Sequence, residues 1–130
     1  ETPGQECTSK IAAFLMEYRG PDVAGPVTVE ISPKASGSVF YDLPGGLTSG
    51  TQLSCGPNCT TPGSEAGFSV NGRPENRDLG SKTTLLINGQ AEVIHTSCSV
   101  PFVVGLPAPL NNPKGAPSSL WHVVDFEQKN

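Results

Sequence analysis

The sequence predicts an all-β chain, a single β-sandwich or jelly-roll-like domain spanning residues 1–130. Three observations carry that expectation. The 130 residues include 15 glycines and 13 prolines, yet 35% are hydrophobic, a mixture that suits short strands joined by many turns. Helical periodicity is nearly absent, while period-two alternation recurs along the chain. Asn88–Gly89 separates two β-forming runs, and Asn-Gly readily supplies the two positive φ angles of a type I′ hairpin. A chain of this length can bury one core, and no internal repeat or second domain is visible.

Taken in order, residues 9–20 (SKIAAFLMEYRG) contain good helix formers but stop at a Gly-Pro turn. Read at period two, Ile11, Ala13 and Leu15 share one face and Phe14, Met16 and Tyr18 the other. A strand buried on both faces is expected. Residues 26–31 (PVTVEI) alternate Val27, Val29 and Ile31 against Thr28 and Glu30, the pattern of a half-exposed strand. Residues 38–43 (SVFYDL) form a third strand, ended by Pro-Gly-Gly. Residues 43–64 carry no charge, contain CGPNC, and read as a long ordered loop. A short strand is expected at 66–70 (AGFSV), followed by a polar turn.

The Asn-Gly hairpin takes residues 83–88 and 91–96. Residues 100–104 (VPFVV) continue as a strand or extended segment. Residues 106–119 are a proline-rich excursion, extended and not helical. Residues 119–127 form the last strand, with Leu120, His122, Val124 and Phe126 on one face and Trp121, Val123 and Asp125 on the other. About eight short strands at fairly even spacing read as a sandwich or jelly-roll.

Charged residues make up only 15%, with a net charge of −4. No basic patch exists to neutralise phosphates, so nucleic acid is not an expected partner. The longest apolar-leaning stretch (100–110) is too short for a bilayer span and holds three prolines, so no membrane insertion is expected. The start at Glu1, without a basic or apolar leader, reads like a mature secreted chain. Four cysteines, Cys7, Cys55, Cys59 and Cys98, form an even set that favours an oxidising, extracellular compartment.

Four cysteines allow three connectivities. Gly-Pro-Asn is turn chemistry that can bring Cys55 to Cys59. That leaves Cys7 for Cys98, the preferred pairing, with an intermolecular bond from Cys7 still open. Two rival chemistries use the same residues. Cys55, Cys59, His95 and Cys98 are formally a four-ligand zinc set, although the Cys-x3-Cys spacing is loose and Cys7 would be left over. His95 and Cys98 could form a base and a thiolate nucleophile. Both are outweighed by disulfides in a secreted chain, so no metal, cofactor or catalytic residue is expected. Thr96, Ser97 and Ser99 read as hydroxyls that satisfy backbone groups where the strand ends.

No serine-hydrolase elbow is present, since GSEAG (63–67) has the wrong spacing. Asp22, Asp42, Glu65, Glu75, Asp78 and Asp125 are scattered singly and read as solvated carboxylates. Asn58-Cys59-Thr60 matches the glycosylation sequon. Trp121 and Tyr41 are the aromatics that could stack on sugars, although strand-borne aromatics are more often core.

Residues 87–105 (INGQAEVIHTSCSVPFVVG) resemble the signature of an uncharacterised family of secreted bacterial surface β-domains. Its members run strand, Asn-Gly-type turn, strand, then IHTSCS and a proline. Residues 14–20 (FLMEYRG) resemble the family's opening strand. Members more often have glutamine where this chain has Val100. The resemblance implies an extracellular, surface-associated β-domain and supplies no activity.

The expected role is therefore an extracellular structural protein, not an enzyme. Nothing obvious in the sequence holds the C-terminal DFEQKN, and a neighbouring subunit would do so. Terminal strand addition would then build a homopolymeric surface fibre. The uncharged stretch around Val100, Pro101, Phe102, Val103, Val104, Leu106 and Leu110, with Trp121, would suit the desolvated contact. The alternative is a carbohydrate-binding or adhesion module on surface glycans.

Overall fold

The structure, a computed structural model, describes residues 4–56, 59 and 78–128. Among these the chain forms eight antiparallel strands: β1 (Ile11–Tyr18), β2 (Val27–Pro33), β3 (Val39–Leu43), β4 (Gln52–Cys55), β5 (Lys82–Ile87), β6 (Gln90–His95), β7 (Pro107–Asn111) and β8 (Lys114–Gln128). They lie in one nearly closed sheet in the order β3-β2-β5-β6-β7-β8-β1-β4. The all-β expectation is met.

The sheet has two well-paired halves, β3-β2-β5-β6 and β7-β8-β1-β4, which wrap a shared core. Val27, Val29 and Ile31 from β2, with Leu85 and Ile94, meet Phe14, Met16, Tyr18, Trp121, Val123 and Phe126 there. The halves join through β6 and β7, where the register holds only one pair, Ile94↔Leu110. Pro107 and Pro109 give β7 few N–H donors, which explains so thin a ladder.

β1 is buried on both faces as anticipated, and its edges are paired with β8 and β4. The hairpin forms as expected, with φ +48° at Asn88 and +85° at Gly89. Asn88 does more than turn the chain. Its N–H donates to the Thr28 carbonyl at 2.9 Å, and its Oδ1 accepts from the Thr28 N–H at 2.9 Å, so the turn is tied to β2.

Four expectations are corrected or sharpened. The loop expected over 43–64 contains β4, whose four residues show no alternation to betray them. The proline-rich excursion is extended and not helical as expected, but it is part of the sheet, as the β7–β8 hairpin turning at Asn112–Pro113. Of the two readings given for residues 100–104, the extended segment holds, since they belong to none of the eight strands. They bond to the N-terminal segment, with Val104 N–H donating to Gln5 O and Cys7 N–H to Phe102 O. The last strand does not alternate strictly. A register shift sets Leu15 opposite Asp125 but Met16 opposite Val123. The extra residue, Val124, lets both the odd-numbered Trp121 and Val123 and the even-numbered Phe126 point inward.

The described segments nearest the two ends meet each other beside β1. Gln128 pairs with Ile11 in the ladder, and its Oε1 accepts from the N–H groups of Thr8 and Ser9 at 2.7 and 2.8 Å. As far as Gln128, the C-terminal segment has partners within its own chain. The strand expected at 66–70 and the sequon Asn58 lie outside the described residues.

Candidate functional site

Among the described residues, two places gather chemistry-bearing side chains: the end of β6, and a cavity beside the β5–β6 hairpin. At the first, His95 is the last residue of β6 and is buried. The chain then reverses through Ser97-Cys98-Ser99, with Cys98 in the left-handed region at φ +62°. The reversal brings both flanking serines to one imidazole nitrogen. Ser99 Oγ lies 2.8 Å and Ser97 Oγ 2.9 Å from His95 Nε2, and the two hydroxyls are 3.1 Å apart. On the other side of the ring, His95 Nδ1 is 3.1 Å from Asn111 Oδ1.

An amide oxygen only accepts, so Nδ1 carries the proton and donates to Asn111. In the neutral ring Nε2 then offers one lone pair, enough for one hydroxyl. The other serine donates to its neighbour, and the chain of protons is complete. Formally this is a serine–histidine–amide relay. A nucleophilic serine also needs space for an acyl carbon and donors for the oxyanion. What the knot does do is join β6 to β7 beside their single register pair.

Thr96 behaves as the sequence suggested, its hydroxyl donating to Gly80 O at 3.0 Å. Ser97 and Ser99 do not: they serve the imidazole rather than the backbone.

Both disulfides are formed, Cys7–Cys98 and Cys55–Cys59. Cys59 N–H donates to Gly56 O at 2.6 Å, closing the turn that brings Cys59 to Cys55. Bonded in this way, the four sulfurs cannot serve as thiolate ligands or nucleophiles. The candidate zinc set and the His95–Cys98 pair are both removed by that bonding. Two disulfides also fit an extracellular protein.

Trp121 is fully buried and Tyr41 nearly so. Neither offers a platform for a sugar ring. Trp121 meets Tyr18 edge-on at 5.2 Å, and among the described residues its Nε1 has no hydrogen-bond partner. Of the residues expected at an assembly contact, Phe102, Val104 and Trp121 belong to the core, while Val100, Val103 and Leu110 are half-buried. Only Pro101 and Leu106 are exposed, Leu106 by 54%. Among the described residues, the other exposed large apolar side chain is Phe40 on β3, at 57%. Sequence reasoning missed it because Phe40 lies in a strand whose inward positions could equally have been its own.

The cavity encloses about 250 Å³ and is lined by Tyr18, Val23, Ile87, Gln90, Ala91, Glu92 and Leu120. Glu92 Oε2 accepts from the Ser118 hydroxyl at 2.7 Å. Ser118 Oγ in turn accepts from the N–H groups of Leu120 and Trp121 at 3.1 and 3.0 Å. Nothing in the linear pattern marked this site, since it assembles from β1, the β1–β2 loop, the hairpin and β8.

Comparison of the chain with protein-family models, curated proteins and solved structures finds no match.

Proposed function

We propose that the protein is a secreted structural domain that self-associates at the cell surface by strand addition and has no catalytic role. The observation that carries this reading is the pair of sheet ends. Among the described strands, β3 and β4 each have a ladder partner on one side only, and β3 presents Phe40 to solvent. Unpaired edges with an exposed aromatic are where β-proteins add strands from another copy.

This reading differs from exchange of the terminal strands. β1 and β8 occupy the interior of their own sheet, so donating either would open a filled position. At the β3 edge no strand is displaced, and only the side-chain tie from Tyr41 to Ser54 of β4 has to give. The resemblance of residues 87–105 to secreted surface β-domains and the two disulfides support the extracellular setting.

Light scattering coupled to size exclusion, with electron microscopy of concentrated protein, tests it. Oligomers or filaments that Phe40→Lys disperses are expected. A wild-type protein that stays monomeric at high concentration would sink the proposal.

A further inference from the structure

Independently of self-association, the cavity beside the hairpin has the chemistry of a receptor for one charged side chain. Its walls are apolar where Val23, Ile87 and Leu120 leave the core partly uncovered. Its polar feature is a fixed carboxylate. Ser118 is itself buried and holds Glu92 through Oε2 alone, leaving Oε1 for another donor. Among the described residues no cation pairs with Glu92. Arg19, next to Tyr18 in the chain, is held by Glu17 at 2.7 Å.

The geometry points to a site for a primary alkylammonium, the lysine side chain of a protein partner, with its carbon stem on Val23, Ile87 and Leu120 and its ammonium at Glu92. The volume decides the size class. Pockets for drug-sized ligands run from about 300 to 1,000 Å³, so about 250 Å³ suits one side chain. The charge decides the sign. The carboxylates of Asp22 and Glu92 place negative charge at this end of the molecule, and after burial they are the next causes that raise the Tyr18 hydroxyl above its ordinary range.

The donor pattern decides between cations. A guanidinium binds best as a planar fork on two free carboxylate oxygens, and here one oxygen is already engaged. A quaternary ammonium needs a cage of exposed aromatic faces, and the one aromatic in the lining, Tyr18, is buried. An ammonium needs a point charge and a few acceptors. Glu92 Oε1 and the Gln90 side-chain carbonyl can supply them.

The test is a titration of the folded protein with Nα-acetyl-lysine methylamide, followed by backbone amide shifts. Parallel titrations use the norleucine and arginine analogues and n-butylammonium. Shifts at Ala91, Glu92 and Leu120 with a Kd on the order of 1 mM are expected for the lysine probe. The norleucine analogue should bind at least about tenfold more weakly, because it lacks the charge-assisted bond.

Glu92→Gln keeps the shape and the Ser118 contact and should weaken lysine binding to the same degree. Gln90→Lys, at an exposed position, should weaken it without touching that contact, so the result does not rest on one variant's folding. Equal binding of lysine and norleucine, or lysine binding unchanged in both variants, would overturn the site. Tighter binding of the arginine analogue would overturn the choice of cation, and butylammonium binding without peptide binding would overturn the protein partner.

Discussion

The hydroxyl of Tyr41 stands where a strand-to-strand ladder is missing. From β3 it donates to the Ser54 carbonyl of β4 at 2.7 Å and accepts from the Ser54 N–H at 2.9 Å. One side chain thus satisfies both backbone groups of a residue on the far end of the sheet. The opposite junction, β6 to β7, has the same character: a single register pair reinforced by the side-chain bond from His95 to Asn111. The two halves of the sheet are therefore joined at both seams by side chains as much as by backbone.

Tyr41→Phe removes that hydroxyl without changing the packed ring. It leaves a buried N–H and a buried carbonyl of Ser54 without this partner, each costing about 1–3 kcal/mol. A total loss of about 2–4 kcal/mol in urea or thermal unfolding is expected. Ser54→Ala is the control. Both short Tyr41 bonds run to the Ser54 backbone and survive it, so its cost should stay below about 1 kcal/mol. Equal losses in the two variants would show that the seam is not held by the tyrosine.

At the other seam, His95→Leu fills the space but leaves Asn111, Ser97 and Ser99 without their shared partner. Those three are partly exposed and water can replace the imidazole, so the expected loss is only about 1–2 kcal/mol. The sharper effect is local. The loop carrying Cys98 loses its tether, and opening that is easier by about 1.4 kcal/mol exposes the disulfide about tenfold more often. Faster reduction of Cys7–Cys98 by dithiothreitol, with little change at Cys55–Cys59, is the measurement to make.

How much of this could be read in the sequence depended on the range of the interaction. The Asn88–Gly89 turn, the alternation of β2 and the doubly buried β1 are local patterns, and each predicted its element. β4 was hidden because four residues are too few for a period. The Pro107 and Pro109 strand was hidden because prolines signal an interruption, although here they only thin one ladder. His95, Cys98 and the two serines were visible as a cluster, yet their purpose depends on Asn111, 16 residues away. Glu92 and Ser118 are 26 apart, on strands that no pattern places together. The cavity was for that reason illegible.

Tyr18 gives the stability of the fold an alkaline limit. Its hydroxyl donates to the Pro21 carbonyl at 2.7 Å, and burial, then Asp22 and Glu92, raise it above the ordinary tyrosine range. In the unfolded chain the same group ionises near pH 10. Above that pH the unfolded state releases a proton that the folded state keeps, so stability falls as pH rises until the folded group also ionises. Below it the contribution is fully present. Denaturation midpoints measured from neutral pH upward should decline more steeply for wild type than for Tyr18→Phe. Parallel curves would refute the assignment.

The two disulfides should differ in what they contribute, because they close loops of very different size. Cys7 and Cys98 are 91 residues apart, Cys55 and Cys59 only 4. On the chain-entropy account, constraining the unfolded state is worth roughly 4–5 kcal/mol for the long loop and about 2 kcal/mol for the short one. The long bridge also anchors the segment whose backbone bonds run to residues 102–104, so its loss frees the N-terminal tail from the sheet. Cys7→Ser with Cys98→Ser should therefore lower the unfolding midpoint more than Cys55→Ser with Cys59→Ser. It should also expose Phe102, which packs on Phe14 and Phe126 at ring distances of 6.1 and 6.2 Å. Amide exchange would show this as lost protection at residue 7 and at Val104, whose N–H groups bond across that pairing. A larger loss from the short bridge would mean that local order around Cys59, and not chain entropy, sets the stability of the domain.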